Sequence, residues 1–214
     1  MRYILLLTMF LASTAYTAPD FDKTMVAAKQ GEAIAQFNLG VMYATGQGVP
    51  KNVVEAVEWY RKAAYQGNAK AQYNLGVTYS NLEGIPENDV AAVKWYRKAA
   101  DQGLANAQSN LGLMYANGEG VPENDAIAVS WFRKAAEQGF AHAQYSLGLM
   151  YVNGEGVSKH KIKAYMWWSL AIIRGHEGAA MVLEILKLTM TKQQIAQAQT
   201  LATKCYESGY KDCD

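Results

Sequence analysis

The segment Ala71-Gln72-Tyr73-Asn74-Leu75-Gly76 identifies a repeat architecture, because its Leu-Gly pair returns every 36 residues. The pair occurs at Leu39-Gly40, Leu75-Gly76, Leu111-Gly112 and Leu147-Gly148. A tyrosine follows each of these glycines by three positions, and a tryptophan follows it by nineteen. Repetition at this period is the signature of a solenoid, in which each unit buries its apolar face only by stacking on its neighbours. The sequence therefore predicts a tandem array, which points to a binding surface before it points to a reaction.

Each unit is predicted to be a pair of antiparallel helices. In the first unit, apolar and small residues fall at helical spacing from about Glu32 to Thr45, which we call helix A. The segment Gly46-Gln47-Gly48-Val49-Pro50 stops this helix. Asn52, with Glu55 in capping-box register, then starts helix B, which ends near Gly67. Two such helices form an αα-hairpin.

The glycine in the middle of each helix A, such as Gly40, costs about 1 kcal/mol of helix propensity relative to alanine. Its return in four units predicts that the partner helix approaches closely there, with Tyr43 and Trp59 filling the space beside it. We therefore expect these recurring positions to pack the core rather than to bind a ligand.

The repeated strings resemble a known family. The string Ala-x-Ala-Gln-x-x-Leu-Gly-x-x-Tyr, a Gly-x-Gly-Val-Pro-type loop and Trp-Tyr-Arg-Lys-Ala-Ala-x-Gln-Gly are similar to Sel1-like repeats (SLR), relatives of the tetratricopeptide repeat, from about Phe21 to Ala202. The resemblance implies an all-α fold, namely a right-handed α/α solenoid of helix-turn-helix repeats with a C-terminal capping helix. It also implies an adaptor role, often in bacterial envelope, signalling or host-contact complexes. Cysteine-rich relatives described as binding or hydrolysing β-lactams carry a cysteine pair in each repeat, which this chain lacks.

The array divides the chain into five predicted segments. They are a signal peptide at 1–15, an N-terminal half-repeat helix at 16–30, four repeats at 31–174, a degenerate fifth repeat with a capping helix at 175–204, and a disulfide-closed tail at 205–214. In the fifth repeat Glu184 replaces the helix glycine and Lys187 replaces the tyrosine, as expected of a terminal unit whose outer face meets water. Thr191 is predicted to cap the final helix, which closes the stack.

The N-terminus predicts export. Arg2, an apolar run from Tyr3 to Ala12 and the small residues after it match a secretory signal peptide, with cleavage after Ala15. The alternative is a retained membrane anchor, but a span needs about 20 apolar residues, roughly twice the length of this run. The predicted location is therefore the periplasm or the exterior of a bacterial cell, and no integral membrane segment is expected after cleavage.

Cys205 and Cys213 are the two cysteines of the chain. In an oxidising compartment such a pair persists as a disulfide, and Gly209 between them can supply the turn. A redox or metal site is the alternative, but the C-x-x-C spacing is absent.

Positions that vary from unit to unit are free to carry specificity. On one face of helix A the first variable series is Ile34, Lys70, Asn106 and His142, and the second, three residues later, is Phe37, Tyr73, Ser109 and Tyr145. Because helix A lines the concave surface of the similar tetratricopeptide arrays, we predict a groove there. Its aromatic anchors are Phe37, Tyr73 and Tyr145, and its polar determinants are Lys70, Asn106 and His142.

Asparagines precede three of the Leu-Gly pairs, at Asn38, Asn74 and Asn110. Their amides can donate and accept hydrogen bonds, which suits an extended peptide in the groove. The alternative is that they bond to neighbouring helices, since they hardly vary between units. A basic run, Lys159, His160, Lys161 and Lys163, is either a contact for an acidic partner or membrane headgroups, or a solvated helix start.

No catalytic pattern emerges from the chain. G-x-S-x-G, the phosphate-binding loop and C-x-x-C are absent, and the histidines at 142, 160 and 176 fall in successive half-units, so neither catalytic residues nor a cofactor or metal is predicted. The formal net charge of +1 gives no field that favours nucleic acid. We therefore predict an exported adaptor that binds a protein or peptide. The alternative is a cell-wall-associated protein that binds or hydrolyses a peptidoglycan-like or β-lactam ligand, and export as an effector into a host cell is also compatible.

Overall fold

The protein is described by a computed structural model that covers residues 20–81 and 87–213, and this part of the chain contains helices and no strand. The helices are α1 (Phe21–Lys29), α2 (Ala33–Thr45), α3 (Val53–Tyr65), α4 (Ala69–Asn81), α5 (Asp89–Asp101), α6 (Ala105–Asn117), α7 (Asp125–Ala136), α8 (Ala141–Asn153), α9 (Lys161–Ile173), α10 (Glu177–Lys187) and α11 (Lys192–Glu207). The predicted leader at 1–15 and the second unit's loop at 82–86 lie outside the described residues.

The helices stack as repeated pairs. The pairs α2/α3, α4/α5, α6/α7 and α8/α9 are the A and B helices of four units, and each helix A also packs on the helix B before it. Because α1 occupies the place of a preceding helix B against α2, the stack is continuous from its first helix. The prediction of an all-α repeat solenoid is confirmed.

The predicted helix ends are also confirmed. Helix α2 ends at Gly46, whose φ of 78° lies in the left-handed region that glycine adopts without steric cost. Asn52 caps α3 by accepting a hydrogen bond from the Glu55 backbone N–H at 3.2 Å, and the second and third units repeat this cap. A capping box with both arms forms at Thr191 and Gln194, at the start of α11.

The recurring glycine of helix A lies beneath an aromatic ring of helix B. A Cβ atom added at Gly40 would lie 2.6 Å from ring atoms of Tyr60, and the same overlap recurs in the other three units, with Tyr96 on Gly76, Phe132 on Gly112 and Trp168 on Gly148. The expected close approach of the partner helix is therefore confirmed, and the ring that makes it belongs to Tyr60. Tyr60 closes on the glycine, whereas Trp59, one residue earlier and so rotated by about 100° on helix B, packs with Ala28 and Leu39.

A buried glutamine ties three successive helices together. The Gln72 side-chain amide donates to the Ala64 carbonyl at 3.1 Å and accepts from Gln102 at 2.7 Å. The pattern recurs at Gln36 and Gln108. It breaks at the last unit. There Arg174 stands in the place of Gln102, and its Nε donates to the Tyr210 hydroxyl at 2.7 Å instead. The buried Oε1 of Gln144 is left without a partner among the described residues.

In the second, third and fourth units, the tyrosine three positions after the Leu-Gly pair joins its unit to the preceding one. Arg61 donates to the Tyr79 hydroxyl at 2.6 Å, and Arg133 does the same to Tyr151. Arg97 makes the corresponding bond to Tyr115. At the next junction both partners change, to Ser169 and Lys187, so the loss of the tyrosine in α10 accompanies the loss of its arginine.

The C-terminal helix does not continue the pattern of helix pairs. Helix α11 packs against α9 rather than against α10, so it does not occupy the helix B position of a fifth unit. The predicted disulfide between Cys205 and Cys213 is present, and it closes the tail onto the end of α11. In the described part of the chain α10 has no helix B of its own that would place a ring over Glu184, which pairs with Lys187 on the surface. In the described residues no helix is long and apolar enough to cross a membrane.

Candidate functional site

The predicted groove residues lie on one partly exposed face of the A helices, which we call the groove stripe. Lys70, Asn106 and His142 are exposed, whereas Phe37, Asn38, Tyr73, Asn74, Asn110 and Tyr145 are half-buried. Ser109 is different, because its side chain is only 2% exposed. The third unit therefore presents no side chain to the surface at the position where the others have an aromatic anchor.

Each aromatic anchor packs on the ring that covers the glycine of its own unit. The ring centroids of Phe37 and Tyr60 are 6.1 Å apart, those of Tyr73 and Tyr96 5.9 Å, and those of Tyr145 and Trp168 6.4 Å. We call Tyr60, Tyr96, Phe132 and Trp168 the floor rings. Because the floor rings limit the rotamers of the anchors, little side-chain entropy remains to be lost on binding.

The asparagines of the groove stripe interact with the floor ring of the preceding unit. Burial raises the pKa of the Tyr60 hydroxyl, and a hydrogen bond with Asn74 acts in the opposite direction. Tyr96 has the same relation to Asn110 and also lies 3.2 Å from the Ser80 hydroxyl.

In the first and fourth units, the residue at the asparagine position also depends on the ring or residue that precedes it. Where the floor ring is Phe132, which has no hydroxyl, the next unit carries Ser146 instead of asparagine. Asn38 has no such tyrosine before it, because α1 carries Thr24 at that position. These pairings favour a role inside the array for Asn74 and Asn110, and they leave Asn38 available to a partner.

Two large clefts lie beside the groove stripe where successive units meet, the first next to Asn110 and the second next to Tyr145, which packs on Trp168. The first, about 510 Å³, lies between the second and third units, and we call it the acidic cleft. Its lining residues are Ser80, Glu87, Asp89, Tyr96, Asn110, Leu113, Met114 and Glu119. The second, about 390 Å³, lies between the fourth unit and α10, and we call it the basic cleft. Its lining residues are Val152, Lys159, Lys161, Trp168, Val182, Ile185, Leu186 and Thr189.

The two clefts are the same place in the repeat, two units apart. Each lining residue from Ser80 to Met114 has its counterpart 72 positions later, from Val152 to Leu186. Only the chemistry differs, since carboxylates and hydroxyls in the first cleft correspond to lysines and hydrocarbon in the second.

The start of α9 gives the basic cleft its charge. The first turns of α3, α5 and α7 carry Glu55, Asp89 and Asp125, but the first turn of α9 has no carboxylate. His160 caps α9 through Nδ1, which accepts from the Lys163 backbone N–H at 3.2 Å. The positive end of the helix dipole and the charges of the lysines therefore both make the electrostatic potential at this point positive.

An imidazole pair lies beside the basic cleft. The rings of Tyr145 and His176 are stacked with centroids 4.2 Å apart, and His142 meets His176 edge-on at 4.9 Å. Burial lowers the pKa of His176 and the charge of His142 lowers it further, while the nearby Glu177 acts in the opposite direction. The sequence treated these histidines as separate, but α10 begins at the edge of α8 and brings two of them together. No three metal-binding side chains cluster in the described part of the chain.

The face that carries the groove stripe continues beyond the predicted residues. On α8, Leu149 and Val152 follow Tyr145 on this face at i+4 and i+7. Their counterparts 36 residues later are Met181 and Ile185 on α10 and Leu188 at its C-cap. Their exposed fractions are 70%, 59% and 87%, because no helix B covers α10. The repeat register alone could have identified them, but the departure of α10 from the repeat pattern suggested a solvated end instead.

Comparisons with known proteins agree with this architecture. The sequence model of the Sel1 repeat matches residues 33–68, 69–104, 105–140 and 141–176, more than half of the chain. A Sel1 repeat protein of Oxalobacter formigenes is 35% identical, with 83% of this chain and 74% of that chain covered and a TM-score of 0.73. No curated protein matches the chain at a significant level.

Two further solved structures are similar to this chain. A protective antigen present in uropathogenic Escherichia coli strains, which displays an SLR fold, is 31% identical, covers 87% of this chain and 49% of its own, and has a TM-score of 0.58. The cysteine-rich protein B of Helicobacter pylori is 25% identical, with 64% of this chain and 99% of that chain covered and a TM-score of 0.50.

Proposed function

The chain belongs to the Sel1 repeat family, and from this premise we propose that it is a scaffold that binds an extended segment of another protein along the groove stripe. Proteins of this family are generally scaffolds for protein–protein interaction and typically are not catalysts. The proposal adds the surface and the residues that bind, namely the anchors Phe37, Tyr73 and Tyr145 with Asn38, Lys70, Asn106 and His142 beside them.

One observation carries the proposal. The residues that define the repeat and its packing are buried within the stack, as Leu75, Gly76 and Gln72 are. The two variable series of helix A are exposed or half-buried on the groove stripe, apart from Ser109. A solenoid that varies its side chains along one continuous face while keeping its packing constant presents an extended binding surface.

We further propose that the protein acts outside the cytoplasm, in the periplasm or after secretion. The disulfide between Cys205 and Cys213 fits an oxidising compartment, and the sequence predicts a leader at 1–15. Amino-terminal sequencing of the protein from a periplasmic or culture fraction tests this, with Tyr16 expected as the first residue. A chain that retains Met1 in the cytoplasmic fraction would contradict export.

The binding function is tested by affinity capture from an envelope extract of the source organism, followed by mass spectrometry. In the test variant the three anchors Phe37, Tyr73 and Tyr145 are changed to alanine, and we expect loss of the captured partner with helical circular dichroism retained. A matched control changes three exposed aliphatic residues at the starts of the B helices, Val54, Val90 and Ile127, to alanine. Equal capture by the anchor variant and the control would contradict the groove proposal, and nitrocefin turnover by the purified chain would contradict a purely scaffolding role.

A further inference from the structure

We propose that the basic cleft is a docking site for an acidic segment of a partner protein, which inserts one large aliphatic or aromatic side chain between α8 and α10. Carboxylates next to that side chain then lie against Lys159 and Lys161. The inference rests on the proposed function, because the cleft adjoins the groove stripe where Tyr145 packs on Trp168. It adds the chemical class of the segment and the place where it is held.

The interior of the cleft accepts hydrocarbon. Trp168 forms its floor, and Val152 and Ile185 stand on either side. The indole N–H of Trp168 does not face an incoming group as a free donor, because it donates to the Tyr145 carbonyl at 3.0 Å. A volume of about 390 Å³ holds one or two large side chains, at the lower end of the usual range for ligand pockets.

The mouth of the cleft is cationic. Within the described residues neither Lys159 nor Lys161 forms an ion pair with a carboxylate, and Lys161 donates one hydrogen bond to the Thr189 carbonyl at 2.9 Å. Both lysines lie at the start of α9, where the helix dipole is positive and the first turn carries no carboxylate to offset it. An anionic group beside the apolar insert therefore complements this mouth, and a cationic one is repelled.

The surface beyond the cleft is open as well. Helix α11 packs against α9, so Met181, Ile185 and Leu188 continue the groove stripe as exposed apolar side chains. A segment that enters the cleft can therefore extend over α10 and bury further apolar surface. Large exposed apolar surface with a charged rim is typical of interaction sites.

A peptide segment fits this site better than a membrane surface does. The lysines that line the cleft are two, Lys159 and Lys161, and the chain as a whole has a formal net charge of only +1. The apolar residues lie inside a concave cleft between two helices, where a side chain enters but a flat headgroup layer does not. Anionic vesicles therefore serve as an arm of the test.

The experiment measures fluorescence anisotropy with labelled, C-terminally amidated hexapeptides, which carry no free terminal carboxylate. The probe is Glu-Glu-Leu-Phe-Glu-Glu. One control peptide replaces Leu-Phe by Ser-Ser, and a second replaces every Glu by Lys. We expect saturable binding of the probe, with both controls at least about tenfold weaker, because the site requires the apolar insert and the negative charge together. Vesicles of phosphatidylglycerol are added in a separate arm, and they are not expected to bind.

Two variants and one matched control locate the site. The double variant Lys159→Glu with Lys161→Glu reverses the charge at the mouth of the cleft, and Ile185→Ser replaces an exposed apolar wall residue. All three side chains are exposed, so neither variant disturbs a buried contact. Each is expected to weaken the probe at least about tenfold. The control reverses the charge of the acidic cleft, through Glu87→Lys with Asp89→Lys, and is not expected to weaken binding of the probe.

Three results would overturn the inference. They are equal binding of the probe to wild type and to the lysine variant, equal binding of the Ser-Ser peptide, and binding of vesicles without binding of the probe. These results are independent of the proposed function. If the anchor variant loses its natural partner while the basic-cleft variants keep it, the groove function stands and this docking site does not.

Discussion

The acidic cleft and the basic cleft are built from the same repeat position, yet they offer opposite chemistry. Glu87 and Asp89 at the mouth of the first correspond to Lys159 and Lys161 at the mouth of the second. The backbone frame that holds these side chains is set by recurring residues, namely the glycine of helix A, the glutamine and the Leu-Gly pair. The array therefore keeps a cleft at the same position of the repeat and changes the side chains that line it.

The two clefts also differ in their floor rings and in the residue that the next unit places beside each ring. Tyr96 keeps a hydroxyl at the cleft floor, and Ser80 and Asn110 lie beside it. Trp168 turns its N–H to the Tyr145 carbonyl, and the asparagine position becomes Val182. A change of floor ring is therefore matched by the next unit, because an amide without the tyrosine hydroxyl would lose a hydrogen-bond partner.

The largest predicted effect concerns the floor of the basic cleft. Trp168→Ala removes a buried indole on which Tyr145 packs, and we expect a loss of about 3 to 5 kcal/mol in the free energy of unfolding. Urea unfolding followed by circular dichroism measures it. Tyr65→Ala is the control, because Tyr65 is exposed and should cost far less. A loss below about 1 kcal/mol for Trp168→Ala would show that the floor ring is not a packing element.

The disulfide is expected to stabilise the end of the array that carries the basic cleft, where α10 has no helix B. Replacing Cys205 and Cys213 by serine should cost about 2 to 3 kcal/mol, from the loop entropy of the closed ring. Because α11 packs on α9, we expect faster hydrogen exchange in α9 and α11, with exchange around the acidic cleft in α4 to α6 unchanged. Uniformly faster exchange along the chain would instead indicate a single cooperative unit.

A third prediction compares the glycines beneath the two floor rings. Gly76→Ala and Gly148→Ala place a methyl group against Tyr96 and Trp168, which must shift. Overpacking costs about 1 to 3 kcal/mol and alanine returns about 1 kcal/mol of helix propensity, so we expect a net loss of about 1 kcal/mol at each site. Glu184→Ala is the matched control at the same register position, and it should be nearly neutral because no ring covers it. Equal effects at all three positions would contradict the role assigned to the floor rings.

The period, the helix pairs, the caps and the disulfide could be predicted from the sequence, because each depends on local residue types or on repetition. The partner of Gly40 could not, since Trp59 and Tyr60 are neighbours on helix B and only the packing decides which of them faces helix A. The contact of His142 with His176 was missed for the same reason. The lysines of the basic cleft belong to the basic run that the sequence indicated, but its apolar interior was missed, because α10 loses the glycine and tyrosine of the repeat while it keeps the groove positions. Whether the predicted groove residues bind a partner stays a prediction.

The smallest predicted effect is a pH dependence confined to the half with the basic cleft, since every histidine of the chain lies at 142, 160 or 176. Burial and the His142 charge lower the pKa of His176 below its usual value near 6.5. The unfolded chain then binds the proton more readily, so this contribution to stability is complete above about pH 6.5 and is lost as the pH falls through the lowered pKa. Thermal unfolding of wild type and His176→Gln from pH 7.5 to pH 5 measures it. We expect the two proteins to differ in slope only below about pH 6.5, and His142→Gln to reduce the slope of the wild type by removing one cause of the shift. Parallel profiles for wild type and His176→Gln would show that the imidazole pair is not coupled to the fold, and the two halves of the array would then respond alike to pH.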